Sequence, residues 1–377
     1  MYPQRRRWLQ ALAAALALPS AGARAGAPPL AMTDPVRRGR PLIFPRDHGA
    51  HPEVRTEWWY ATGWLGPAAA PILGFQLTFF RSRTGLASSM AGRFAPRQLL
   101  FAHAAVTPLG TAGARVQHRH AQRIARWNGQ PDAPLAAAAL DDGAVHIGNW
   151  SLRRVGASWH GRLPASGFTL DLQLQRSQPL LLQGDDGFSR KGPEERQASH
   201  YYSEPQLAVA GTVTLDGVAH AARPADDARA WLDQEWSDEL LHPEAVGWDW
   251  IGMNLLDGGA LTAFQLRRAD GSPLWAGGSL RQPGQPARSF AADALRFTPD
   301  RFWHSPATRA RYPVHWTLET PAGTHQVRAL ADAQELDSQA STGAVYWEGL
   351  SELLDARGRR VGLGYLEMTG YAGRLRL

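Results

Sequence analysis

Hydrophobic and polar positions alternate with a period of two along much of the chain, which predicts strands with one apolar face. Phe75-Gln76-Leu77-Thr78-Phe79 puts Phe75, Leu77 and Phe79 on one side. The stretches Phe168–Gln175 and Leu207–Leu215 alternate without a fault. Shorter strands are expected at Phe101–Val106 and Gly148–Arg153, and an aromatic-rich one at Glu57–Leu65. Asp-Gly pairs at Asp142, Asp186, Asp216, Asp257 and Asp270 supply turn chemistry between them. Helical periodicity is nearly absent; only Ala133–Leu140 and Pro224–Ala230 have the composition for a turn or two. Short alternating strands separated by turns imply an all-β antiparallel sandwich or barrel, and barrel closure removes exposed edges.

The pattern also repeats. Trp59-Tyr60-Ala61-Thr62-Gly63-Trp64-Leu65, a turn, and an alternating strand ending at Arg81 form the first copy. Trp250-Ile251-Gly252-Met253-Asn254-Leu255, a turn at Asp257-Gly258, and a strand ending at Arg267 form the second. Two copies fit two similar barrels in tandem, expected at 41–225 and 226–377, with the seam at Ala221–Ala230.

A length of 377 residues suits two such domains, and 44% hydrophobic with 20% charged residues is ordinary for a globular protein. The N-terminal Arg5-Arg6-Arg7-Trp8-Leu9, an apolar run to Leu18 and Ala23-Arg24-Ala25 read as an export signal over 1–25, twin-arginine-like, with the general secretory route as alternative. A mobile arm is expected over 26–40, and a periplasmic or secreted location follows. Without the four Arg of that leader, the formal charge of +6 becomes +2. No later basic cluster is interleaved with aromatics, which argues against nucleic acid. The absence of Cys excludes disulfides and a thiol nucleophile. His48 with His51, and His118 with His120, lack a completing ligand set, so neither metal nor cofactor is expected.

The chemistry concentrates in Trp231-Leu232-Asp233-Gln234-Glu235-Trp236 and Trp248-Asp249-Trp250, which hold four of the fifteen Trp. In a strand, Asp233 and Glu235 share one face and Gln234 and Trp236 the other. Two neighbouring carboxylates can raise one another's pKa and supply an acid, so Asp233 and Glu235 are the candidate catalytic pair; the bland alternative is that they answer Trp N–H groups and Arg at a domain interface. Glu57, Trp58, Trp59, Tyr60, His200, Tyr201, Tyr202, Trp236, Trp248 and Trp250 are the candidate ligand-binding residues, as a ligand mouth or as plain core. No G-x-S-x-G elbow accompanies Ser199 or Ser203, which leaves a serine hydrolase little support. Lys191, the sole Lys, is a salt-bridge donor or a functional amine.

Asp47-His48-Gly49, His51 and Arg55-x-Glu57-Trp58-Trp59-Tyr60-x-x-Gly63 together resemble the signature of the AttH and carotenoid hydratase family. Leu182-Gln183-Gly184-Asp185, Ser199-His200-Tyr201-Tyr202-Ser203-x-Pro205, Tyr346-Trp347-Glu348-Gly349 and Gly364-Tyr365-x-Glu367-x-Thr369-Gly370-Tyr371 extend the similarity from about Pro41 to Tyr371. The resemblance implies two tandem lipocalin-like barrels and an apolar, isoprenoid- or acyl-like ligand in an aromatic cavity. It also implies an accessory role beside an ABC-type transporter, or, as the alternative, acid-catalysed hydration or hydrolysis of an apolar substrate. The chain departs from the hydratases at Asp233-Gln234-Glu235-Trp236-Ser237, which keeps only their Asp and Trp. No carboxylate stands near Leu261–Ala263, where their proton donor aligns.

Overall fold

The computed structural model describes residues 36–85, 97–110, 118–223, 226–239 and 241–375, and the leader expected over 1–25 lies outside them. The first sheet begins with β1 (Thr56–Leu65), β2 (Leu73–Arg83), β3 (Gln98–Pro108) and β4 (Arg119–Trp127). It continues through β5 (Ala136–Ala138), β6 (Ala144–Ile147), β7 (Trp150–Val155), β8 (Ser158–Pro164) and β9 (Phe168–Gln175). After the short β10 (Leu181–Leu182) and β11 (Phe188–Arg190) come β12 (Ala198–Leu215), β13 (Val218–Ala221) and β14 (Arg229–Ser237). The second sheet holds β15 (Gly247–Leu255), β16 (Ala260–Arg267), β17 (Pro273–Arg281), β18 (Arg288–Phe290) and β19 (Arg296–His304). It ends with β20 (Arg311–Thr320), β21 (Gly323–Ala329), β22 (Glu335–Ser338), β23 (Ala344–Leu354) and β24 (Arg360–Met368).

Strand order is β4-β3-β2-β1-β14-β12-β9-β8-β7-β6-β5 in the first sheet and β18-β17-β16-β15-β24-β23-β21-β20-β19 in the second. In each, three strands lead away from an opening strand, and the closing strand returns to pair antiparallel with it. The two Trp-rich copies in the sequence are thus equivalent hairpins, β1–β2 and β15–β16. The first sheet curls until β4 approaches β5 and β6, almost closing a barrel.

This topology moves the seam. Residues 226–237 were expected to open the second domain, but β14 pairs with both β1 and β12 and completes the first sheet. The sheets part between Ser237 and Gly247 instead. The two helical expectations also fail among the described residues: β5 lies within Ala133–Leu140, and in the described part of the second stretch, 226–230, Arg229 and Ala230 begin β14. Ala favours helix, but Ala136–Ala138 pair with β6 and enter the core, and that burial overrides the propensity. The described end of the expected mobile arm is docked, with the Arg40 guanidinium 3.2 Å from the Asp47 carboxylate.

Each central strand is buried on both faces. Trp59 and Ala61 of β1 and Ala230 and Leu232 of β14 fill the first sheet's interior, whereas Tyr60, Trp64 and Trp231 point the other way. Ile251, Met253, Leu261 and Leu366 fill the second sheet's interior, while Trp250, Phe264 and Tyr365 turn outward to meet that first set. The sheets therefore pack through the outer faces of their Trp-rich strands. Gly252 makes this possible: a Cβ there would collide with the Trp250 ring and lie 3.0 Å from Trp231 Cε2. Gln206, in the left-handed region (φ 60) at a bulge in β12, ties the sheets further. Its N–H donates to Asn254 Oδ1 (2.6 Å) and its amide to the carbonyls of Leu255 and Gly259.

Candidate functional site

Between the two sheets lies a cavity of about 90 Å³. From the first sheet, Trp58 and Tyr60 (β1), Phe80 (β2) and Asp233 and Glu235 (β14) line it, joined by Lys191. From the second come Trp248 and Trp250 (β15), Phe264 and Leu266 (β16), Glu348 (β23) and Glu367 (β24). Strand alternation selects them, since every second residue of each strand faces the neighbouring sheet. A second cavity of about 140 Å³ adjoins it, sharing Thr56, Phe80, Trp248 and Glu367 and adding Phe101, His103 and Tyr346.

Asp233 sits at the centre of a hydrogen-bonded array. Its Oδ2 accepts from the Tyr201 hydroxyl (2.6 Å) and its Oδ1 from the Trp231 indole (2.6 Å). Tyr201 in turn accepts from the Trp250 indole at 3.1 Å. Burial pushes the Asp233 carboxyl up to about 7, and the Glu235 charge adds to this, although its three side-chain hydrogen bonds, from Ser203, Tyr201 and Trp231, oppose the rise. Glu367 is pushed up to about 8 by burial and then by Asp233, Glu235 and Asp249, against a hydrogen bond from Trp248. Glu348 is raised well above the usual range by burial and by Glu367. Lys191 Nζ lies 2.9 Å from Glu235 Oε1. The same ammonium stands 4.1 Å from the Phe264 ring centroid and 4.7 Å from that of Tyr201.

The candidate residues divide by face. Asp233, Glu235, Trp58, Tyr60, Trp248 and Trp250 reach the cavity, and Tyr201 supports it through Asp233. The others face away. Trp59 lies in the first sheet's interior and donates to the His48 carbonyl. Glu57 accepts from His51 (2.7 Å) and from Arg81 Nε (3.1 Å). His51 also lies 3.1 Å from Asp47 and stacks on Trp236 with centroids 3.8 Å apart. Burial works against its charge, but Glu57 and Asp47 prevail and raise its pKa. Tyr202 contacts His48 and Gln234, and His200 packs near Trp236. Glu57, Trp59, His200, Tyr202 and Trp236 therefore build a structural clamp that closes one end of the first sheet. The signature block Asp47–Tyr60 mixes that clamp with three cavity residues, Thr56, Trp58 and Tyr60.

Asp249 is likewise structural: Arg267 pairs with it at 2.8 Å, and Gln265 and Tyr371 donate to it. Among the described residues no group of three His, Cys, Asp or Glu is arranged to hold a metal ion. The sequence reading missed Glu348, Glu367, Phe80, Phe264 and Leu266, and left Lys191 undecided. A signal existed for Glu367, the one carboxylate of β24, whereas Glu348 shares β23 with Glu352 and alternation alone does not single it out. Phe264 and Leu266 carried none beyond alternation.

Fold and site together define a lipocalin-like all-β protein with an acid-lined aromatic cavity between its two sheets. The AttH-like family model matches residues 35–371, and the chain belongs to that family. An AttH-type protein from Nitrosomonas europaea is 45% identical, with a TM-score of 0.79 over 90% of this chain and 99% of that one. Kievitone hydratase from Nectria haematococca shares the fold at 14% identity and a TM-score of 0.65, over 91% of this chain and 97% of its own. CghA is similar at 13% identity and a TM-score of 0.50, over 84% and 88% of the two chains. No curated protein matches the sequence.

Proposed function

We propose that the protein is an acid-catalysed hydratase that binds an apolar, isoprenoid-like alkene in the cavity between its sheets. The observation that carries this is the Asp233 carboxyl, buried among Trp58, Tyr60, Trp248 and Trp250 and oriented by Tyr201 and Trp231. Burial keeps such an acid protonated near neutrality, as a proton donor to carbon requires. Asp233 transfers its proton to the less substituted alkene carbon, and the π pair forms the new C–H bond. The tertiary cation left behind is stabilised by the surrounding rings. Water adds to it, and an ionised cavity carboxylate takes the proton that water loses. The acid that the hydratase resemblance would put near Leu261–Ala263 is supplied here from β14, across the cavity from Phe264 on β16. The family's link to kievitone hydratase by fold supports the same chemistry.

Binding of an apolar ligand is common to this reading and to a carrier role beside a transporter in the periplasm; hydration separates them. The test is incubation with geraniol in heavy-oxygen water, read by mass spectrometry. Hydrated product carrying the label, lost in Asp233→Asn, is expected. Binding of geraniol with no hydrated product would favour the carrier.

A further inference from the structure

The cavity holds more acid than one proton donation needs. Asp233, Glu348 and Glu367 have no basic partner among the cavity-lining residues, because Lys191, the cation there, is bound to Glu235. Glu348 is 4% exposed, and its Oε2 has no hydrogen-bond partner. The Tyr60 hydroxyl, on a residue 5% exposed, has none either. Both residues line the cavity, so its wall offers an unanswered carboxylate oxygen and an unanswered hydroxyl. Uncompensated polar atoms of this kind are costly in a closed interior and favour a ligand that completes them.

Lys191 shows what such surroundings hold well. Its ammonium is paired with a carboxylate and lies over two aromatic rings. The opposite side of the cavity repeats the ingredients, with Glu348 and Glu367 beside Trp248 and Trp250, but contains no cation. Carboxylates set among aromatic rings recognise organic ammonium groups through charge and through the ring quadrupoles.

We propose that the cavity is a binding site for an organic cation, with an ammonium group seated against Glu348 and Glu367 and an apolar body extending into the adjoining cavity. Glu367 and Trp248 line both cavities and so stand at the junction the ligand spans. Phe80 and Phe101 give the second cavity apolar walls, and His103 there is held neutral, pushed down to about 3 by burial and then by His120. Binding a cation replaces protons on the acidic wall, so it releases protons and strengthens as pH rises. Asp233 and Glu235 face the same space from β14, with Lys191 as the one opposing charge lining the first cavity, while Arg81, which lines the second, is paired with Glu57. The inference shares with the hydratase reading only that the cavity is the functional site; a tertiary carbocation carries the same charge in the same place.

The test compares phenyltrimethylammonium with its uncharged isostere tert-butylbenzene by titration calorimetry on the whole protein. At about pH 8.5 the ammonium is expected to bind roughly 10- to 30-fold more tightly, and at about pH 5.5 the preference should largely vanish. Repeating the titration in buffers of different ionisation enthalpy should show proton release. Glu348→Gln and Glu367→Gln should each reduce the preference. Equal affinity for the two probes at high pH, or a preference untouched by both substitutions, overturns the proposal. Geraniol hydration without ammonium preference would overturn it while leaving the hydratase in place; ammonium preference without hydration would do the reverse.

Discussion

Glu348 on β23 and Glu367 on β24 are direct cross-strand partners, and both side chains line the cavity between the sheets. Like charges in that relationship repel, and burial removes the water that would screen them. The pair therefore holds a proton that free carboxylates would have lost. Because their folded pKa values lie above the unfolded ones, the folded state binds more protons, and stability falls as pH rises towards about 8. Below about pH 6.5, His48 and His103, pushed down to about 3 by burial, pull the other way. Calorimetric melts between about pH 6.5 and 8 should show a loss on the order of 2 kcal/mol, and Glu367→Gln should reduce it, with Asp233 and Glu348 carrying the remainder. A wild-type Tm that climbs with pH across this window would disprove the shared proton.

Tyr201 positions the acid rather than supplying it. Tyr201→Phe removes a donor to Asp233 and the acceptor of the Trp250 indole, and should cost about 1–3 kcal/mol. Losing that donor also raises the Asp233 pKa further, so any pH-rate profile limited by its ionisation should move to higher pH. An unmoved profile would show that Tyr201 serves packing alone.

Lys191 and Glu235 form a buried pair at 2.9 Å, with both side chains largely removed from solvent. Lys191→Met strands a carboxylate and should destabilise the protein by about 3–5 kcal/mol. The double variant Lys191→Met/Glu235→Gln should recover much of this loss, which a double-mutant cycle of melts would measure. No recovery would mean that the ammonium acts mainly through Phe264 and Tyr201.

Gly252 lets Trp231 and Trp250 meet across the seam, their centroids 6.3 Å apart. Gly252→Ala should push both indoles apart and cost about 1–3 kcal/mol. Because Trp250 lines the cavity, ligand affinity should drop with stability. A fully stable variant with unchanged affinity would show that the rings shift at no cost.

The sequence by itself determined the fold class, the tandem repeat and the faces of the central strands. Each follows from local alternation, and the division of Asp233 and Glu235 from Gln234 and Trp236 needed nothing more. The same rule separates Trp58 and Tyr60 from Glu57 and Trp59, but with both faces buried, periodicity shows that two faces exist without showing what each one meets. Tertiary structure alone decided that one face meets the other sheet and the second meets the His51 clamp. It also moved the seam past β14, because an opening strand takes its closing partner from far along the chain. Glu348 and Glu367 joined Asp233 for the same reason: they lie more than a hundred residues from it, and only β24 returning beside β15 puts the three acids around one cavity.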